Sequence, residues 1–221
     1  MAIEVDHAFI ACQPGAPEAD ALLRHGFVEG SPNTHPGQGT ANRRFFFENF
    51  MLELLWIASE AEATSERTRR TRLWERCADP QTAASPFGIL FRPDAEKTPP
   101  PFPTWPYCPA YLPAGLAIEF AAGTTLQEPE LIYLPFVRGP RLTTEPATHR
   151  LPFQRLRSLA VGVRHPAALS DAALATQRLG QLGYFPADRP VLELSFEGSA
   201  AAQLDLRPLL PLVLRADLPA Q

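Results

Sequence analysis

Six prolines fall between residues 99 and 109 (Pro99, Pro100, Pro101, Pro103, Pro106 and Pro109). Each lacks a backbone N–H and fixes its own φ, so no helix passes through this stretch and an extended, ordered loop is expected. The segments around it must therefore build a fold that tolerates a long irregular excursion. They read mostly as short strands. Glu4 to Cys12 alternates, with Val5, His7, Phe9 and Ala11 on one face; Met51 to Ile57 alternates likewise, with Met51, Glu53, Leu55 and Ile57 together. An ionisable group on such an apolar face needs a partner, because burying an unpaired carboxylate costs several kcal/mol or forces it neutral. His7 and Glu53 are thus the first candidate pair: a hydrogen-bonded structural pair, or part of a metal or ligand site.

Between them the pattern predicts a helix over 17–25 closed by Gly26, a short strand at 27–30, a Gly/Pro/Asn/Ser loop over 31–40 and a strand at 42–48. Residues 1–60 then form a β-α-β-β-β module whose last three strands run as an antiparallel meander beside the first. A charged helix over 64–78, a solvated bridge or else an anion- or partner-binding element, links it, within 61–84, to further strands at 87–91, 116–120 and 130–134. In this second set, 85–137, the prolines stand where a helix belongs. A third unit, 150–216, opens with a strand at 156–163 and continues with a helix over 168–182 and strands at 191–196 and 203–214. Pro208 and Pro211 make the last an edge strand, a bent one or a short one.

With 221 residues and 45% hydrophobic content, the chain can pack a core without covalent staples. Cys12, Cys77 and Cys108 have no Cys-x-x-Cys spacing, so neither a disulfide framework nor a zinc knuckle is expected. A net charge of −4 without a basic block argues against nucleic acid, and no apolar run approaches the ~20 residues that span a bilayer. The opening residues lack a basic-then-apolar leader; a cytoplasmic protein with a small-molecule partner is the expectation. No Gly-rich phosphate loop, HExxH pair or Gly-x-Ser-x-Gly elbow occurs.

Val5-Asp6-His7-Ala8-Phe9-Ile10-Ala11, the run His35 to Phe45 and Leu52-Glu53-Leu54-Leu55-Trp56, in that order and spacing, resemble the vicinal oxygen chelate superfamily, and within it bacterial glyoxalase-like proteins. The resemblance implies an α+β fold of β-α-β-β-β modules forming a cupped mixed sheet, here with a degraded second module and a third similar unit. It also implies a divalent metal (Zn, Ni, Mn or Fe) on His7 and Glu53, lyase, isomerase or dioxygenase chemistry, and a homodimer, although three units could complete the sheets internally. The second module offers Gly88 where a ligand is expected, and Glu130 or Tyr133 later, so a four-ligand set is not visible. A non-catalytic ligand binder on the same scaffold, without metal, is the other reading.

Glu119 and Glu130 are candidate bases, with a surface location the ordinary alternative. Arg44, beside Asn42 and Phe46, is a candidate clamp for an anion, or else pairs with Glu48 or lies outside. His35 could close over the cup or stay solvated. Trp105, Tyr107, Tyr133, Trp56 and Tyr111 are candidate walls, with the proline-rich segment as a lid, or simply pack that segment on the sheet. The Phe45-Phe46-Phe47 run could instead fill the cup.

Overall fold

The computed structural model describes residues 3–78, 84–94, 98–137 and 144–219; part of the expected link, 79–83, lies outside them. The first strand, β1 (Ile3–Ala11), is followed by α1 (Ala19–Arg24), β2 (Asn33–His35), β3 (Thr40–Phe46) and β4 (Met51–Ile57). Strands β2, β3 and β4 form the expected antiparallel meander, and β4 returns parallel to β1. The second set is β5 (Phe87–Pro93), β6 (Thr104–Tyr107), β7 (Ile118–Ala121) and β8 (Glu130–Tyr133). The two sets join through an antiparallel β1–β5 pair into one eight-stranded sheet, β2-β3-β4-β1-β5-β8-β7-β6. It is a curled half-barrel with repeating strand units.

Several elements differ from their sequence reading. The second strand is Asn33–His35 rather than 27–30, because Phe27 instead packs its ring against Phe45, Phe47 and Phe153. The helix expected over 64–78 is instead a 3-10 turn (Arg69–Thr71) and α3 (Leu73–Cys77), separated by Arg72, left-handed at φ 55°, and preceded by a short α2 (Glu60–Ala63). It is no solvated bridge: Leu73 and Arg76 are buried. Nor is the proline-rich segment simply a loop or lid. Thr104–Tyr107 is the edge strand β6, where Pro106 is tolerated because only one side of the strand needs hydrogen bonds.

The C-terminal region contains β9 (Arg155–Val163), α4 (Asp171–Gln177), β10 (Leu182–Pro186), β11 (Val191–Glu197), β12 (Ala202–Asp205) and β13 (Leu212–Asp217). The helix expected over 168–182 stops early, past the Ser170 cap, and its last predicted residue opens β10 instead. The stretch 203–214 is two strands, split by a turn holding Pro208 and Pro211. The order β10-β9-β11-β13-β12 repeats the order β4-β1-β5-β8-β7, with the same parallel and antiparallel senses throughout. Each central antiparallel pair even carries a register shift, at Val5/His7 in one and Ser195/Phe196 in the other. The C-terminal sheet is thus a shortened repeat of the whole larger sheet rather than of one module.

The two sheets share a core. Ala8, Ile10, Leu52, Leu54, Ile89 and Leu131 of the larger sheet lie in one apolar cluster with Leu159, Val161, Leu192, Leu194, Leu212 and Leu214 of the smaller. Burying a large apolar side chain contributes roughly 1.5–3 kcal/mol, so this layer dominates the stability of the fold. Asn49 stitches the sheets by exchanging two hydrogen bonds with the backbone of Leu156, at 2.9 and 2.8 Å. Phe45 and Phe47 belong to this core, so the phenylalanine run does not fill the cup.

His149 lies against Phe27 and Phe47, with ring centroids 5.0 and 4.8 Å away, and its Nδ1 accepts the Val28 N–H at 3.1 Å. That bond requires an unprotonated Nδ1. Burial lowers the pKa of His149, and that of His35, below the usual 6.5. Such a group binds more protons unfolded than folded as pH falls through 6.5, so its stabilising contribution is present above that value and is lost below it. The urea midpoint is expected to drop between pH 7 and about pH 5.5, and less steeply in His149→Asn, whose amide oxygen can accept the same N–H. An equal slope in both proteins would remove His149 from this account.

Candidate functional site

The inner face of the larger sheet encloses a cavity of about 190 Å³. Its polar lining comes from the first half of the sheet: His7 on β1, Asn33 and His35 on β2, Gln38, Arg44 on β3 and Glu53 on β4. The facing half contributes Leu90, Ile118, Phe120, Ile132, Leu134 and Phe136. Of the lining residues beyond position 55, only Tyr111 carries a polar atom, and its hydroxyl donates back across the cup to Gln38 Oε1 at 3.2 Å.

Strand register explains the polar wall. Glu53 is opposite Phe9 on β1 and Arg44 on β3, so alternation brings His7, Phe9, Glu53 and Arg44 to the same face. A bulge at Asp6 then departs from simple alternation. Val5 pairs with Phe91 but His7 pairs with Leu90, so Val5 turns into the core between the sheets instead of sharing His7's face. The bulge also buries Asp6 completely. Its Oδ2 meets His7 Nδ1 at 2.6 Å, and its Oδ1 accepts from Arg92 at 3.2 Å; Arg92, itself buried, also reaches Glu4 at 2.8 Å.

The proton on His7 is thereby placed on Nδ1, donated to Asp6, leaving Nε2 toward Glu53 Oε1 at 3.8 Å. That separation is too long for a hydrogen bond; both atoms accept, so the pair suits a ligand O–H donated to one of them. His35 Nδ1 is 2.8 Å from the Thr40 hydroxyl, and its ring lies 4.9 Å from that of Tyr111. Burial lowers the pKa of this imidazole, against the pull of nearby Glu53. Arg44 lines the cup but is engaged: Nε donates to the Ser31 carbonyl at 2.7 Å, an Nη lies 3.5 Å from Glu145, and the guanidinium rests 5.2 Å above Phe46. Glu145, not Glu48, is its acidic partner.

The structure therefore brings His7, Glu53, His35 and Arg44 together and leaves the other candidates outside. Phe46 is buried beneath Arg44 and does not line the cavity. Glu119 sits on β7 between Ile118 and Phe120, so alternation turns it away from the cup. Glu130 is on the inner side of β8 but is buried in an ion pair with Arg76 at 3.0 Å; burial pushes its carboxyl up, against the guanidinium. Neither carboxylate can serve as a base in the cup. Tyr133 points to the core between the sheets, where its hydroxyl donates to the Thr98 carbonyl. Trp105 and Tyr107 pack behind Phe120, with ring centroids 5.0 and 5.7 Å away, and do not line the cavity. Asp6, Arg92 and the apolar far wall had gone unread. The Asp6-His7 adjacency was the available signal, hidden because alternation assigns neighbours to opposite faces.

The donor set does not fit a resident divalent ion. His7 and Glu53 stand on adjacent strands, and among the described residues no third His, Cys, Asp or Glu joins them in a metal-holding cluster. A zinc site uses at least three protein ligands, and the positions facing this pair are Leu90, Ile132 and, beneath the Phe9 ring, Gly88. A side chain at 88 would displace the Phe9 ring, because its Cβ would lie 2.0 Å from Phe9 Cε1.

Over 99% of its length the chain superposes on the whole of a hypothetical protein from Staphylococcus aureus, with a TM-score of 0.53 and 8% identity. The architecture is of the glyoxalase type. A variant of 4-hydroxymandelate synthase from Streptomyces coelicolor is similar at TM-score 0.43 and 13% identity, over 97% of this chain and 62% of that one. A xylose isomerase-like TIM barrel/4-hydroxyphenylpyruvate dioxygenase fusion protein gives 0.41 and 12%, over 100% and 32%. No protein-family model matches the sequence, and no curated protein matches it. Within the glyoxalase-type fold, the likeness speaks for the scaffold alone, and the contents of the cup must speak for the chemistry.

Proposed function

We propose that the cup binds a small, uncharged molecule with an apolar body and one hydroxyl head (a phenol or alcohol), without a resident metal. The observation that carries this reading is the division of the cavity into a polar wall from residues 7–53 and an apolar wall from residues 73–137. The head would lie between His7 Nε2 and Glu53, and the body against Leu90, Phe120 and Ile132. An anionic head is disfavoured because Glu53 already contributes a carboxylate and Arg44 is engaged by Ser31 and Glu145.

Titration calorimetry with 4-ethylphenol and its charged counterpart 4-ethylbenzoate tests the proposal, beside elemental analysis of protein purified without chelator. The phenol is expected to bind at least tenfold more tightly than the benzoate, with Ile132→Trp abolishing binding and Glu53→Gln weakening it about tenfold. Tighter binding of the benzoate would overturn the neutral-head reading. A near-stoichiometric metal lost in both His7→Ala and Glu53→Ala would overturn the metal-free one.

A further inference from the structure

On the far side of Phe120 from the cup lies a second recess of about 280 Å³, bordered by Arg70, Arg72, Trp105, Gly123, Thr124 and Glu130. We propose that it is a binding site for a small phosphate-bearing anion. The argument begins with charge. Glu130 is the acid among these residues; Arg76 pairs with it at 3.0 Å, and Arg72 adds a longer-range pull on the same carboxyl. Arg70 and Arg72 therefore bring two further positive charges to the recess. Among the described residues neither forms an ion pair with a carboxylate, and Arg72 Nη2 is buried without a hydrogen-bond partner. A buried guanidinium N–H left unsatisfied is costly, and an oxyanion is its natural complement.

The backbone reinforces this reading. Arg72 adopts the left-handed conformation, φ 55° and ψ 24°, between the 3-10 turn and α3. That conformation disfavours any residue with a Cβ and would suit glycine, yet an arginine occupies it. Local strain of this kind points to a use for the side chain it carries.

The recess also defines what it can hold. Arg70 stacks 4.1 Å from the Trp105 ring centroid, and Phe120 covers the ring at 5.0 Å with an interplanar angle of 26°. With cation and ring on its two faces, Trp105 has none left for a nucleobase or other aromatic ring. Two guanidinium forks and the Thr124 hydroxyl suit a compact dianion better than a single carboxylate.

Titration calorimetry with inorganic phosphate, and with acetate at matched ionic strength, tests the site in wild type, Arg72→Gly and Arg70→Ala. Arg72→Gly removes the guanidinium while relieving the backbone, so its thermal midpoint is expected at or above that of wild type. Saturable phosphate binding in wild type, weakened about tenfold or more in both variants and much weaker for acetate, is the expected result. The proposal is overturned if phosphate shows no saturable binding up to about 10 mM, if Arg72→Gly binds it as wild type does, or if acetate binds equally well.

Discussion

Replacing Arg76 with methionine is expected to destabilise the protein by about 3–5 kcal/mol, a large fraction of the stability of an ordinary domain. Its guanidinium makes more than an ion pair. It donates to Glu130 Oε2 at 3.0 Å, and to the carbonyls of Ser85, Leu126 and Glu128 at 3.0, 3.2 and 2.8 Å. One side chain from α3 thus holds the entry to β5 and the turn that leads into β8. Removal leaves a buried carboxylate without its counter-charge and several carbonyls without donors. The paired variant Arg76→Met with Glu130→Met should recover the charge portion but not the lost carbonyl bonds. Urea unfolding of the three proteins measures this. A single-variant loss under about 1 kcal/mol would mean that water replaces the guanidinium and that the pair is not closed to solvent.

Asp6→Asn is expected to cost about 2–4 kcal/mol and to weaken ligand binding in the cup. The carboxylate stands between two groups that need it: the His7 imidazole at 2.6 Å and the Arg92 guanidinium at 3.2 Å. An amide can offer its oxygen to one of them, but then presents an N–H toward the other. Glu4 cannot make up the difference for Arg92, because its side chain is 40% exposed and its charge is screened. The His7 ring loses its fixed tautomer in the same step, so unfolding and ligand titration should change together. Intact stability with weakened binding would instead assign Asp6 to positioning His7 alone.

Most of the first half of the larger sheet was legible because β3, β4 and β1 beyond its bulge alternate and its turns carry Gly and Pro. His7 and Glu53 fall on one face by parity alone. Asp6 was not legible, since one extra residue at a bulge reverses parity and leaves no mark on composition. Arg72 was opaque for a related reason: a left-handed residue is read from glycine or asparagine, and an arginine gives no such notice. The proline cluster correctly excluded a helix, but four of its residues still found a partner strand because an edge needs bonds on one side only. The helix expected over 168–182 failed where apolar spacing served two elements in succession, α4 and then β10.

The same edge has a consequence for how these molecules meet one another. The larger sheet ends at β2, three residues long, and at β6, which carries Pro106; the smaller ends at β10, which closes on Pro186, and at β12, four residues long. Among the described residues each border is short or carries a proline, which hinders the templating of a neighbouring chain. Continuous β-sheet growth from molecule to molecule, the usual beginning of fibrils, is thereby hindered at each of these described edges.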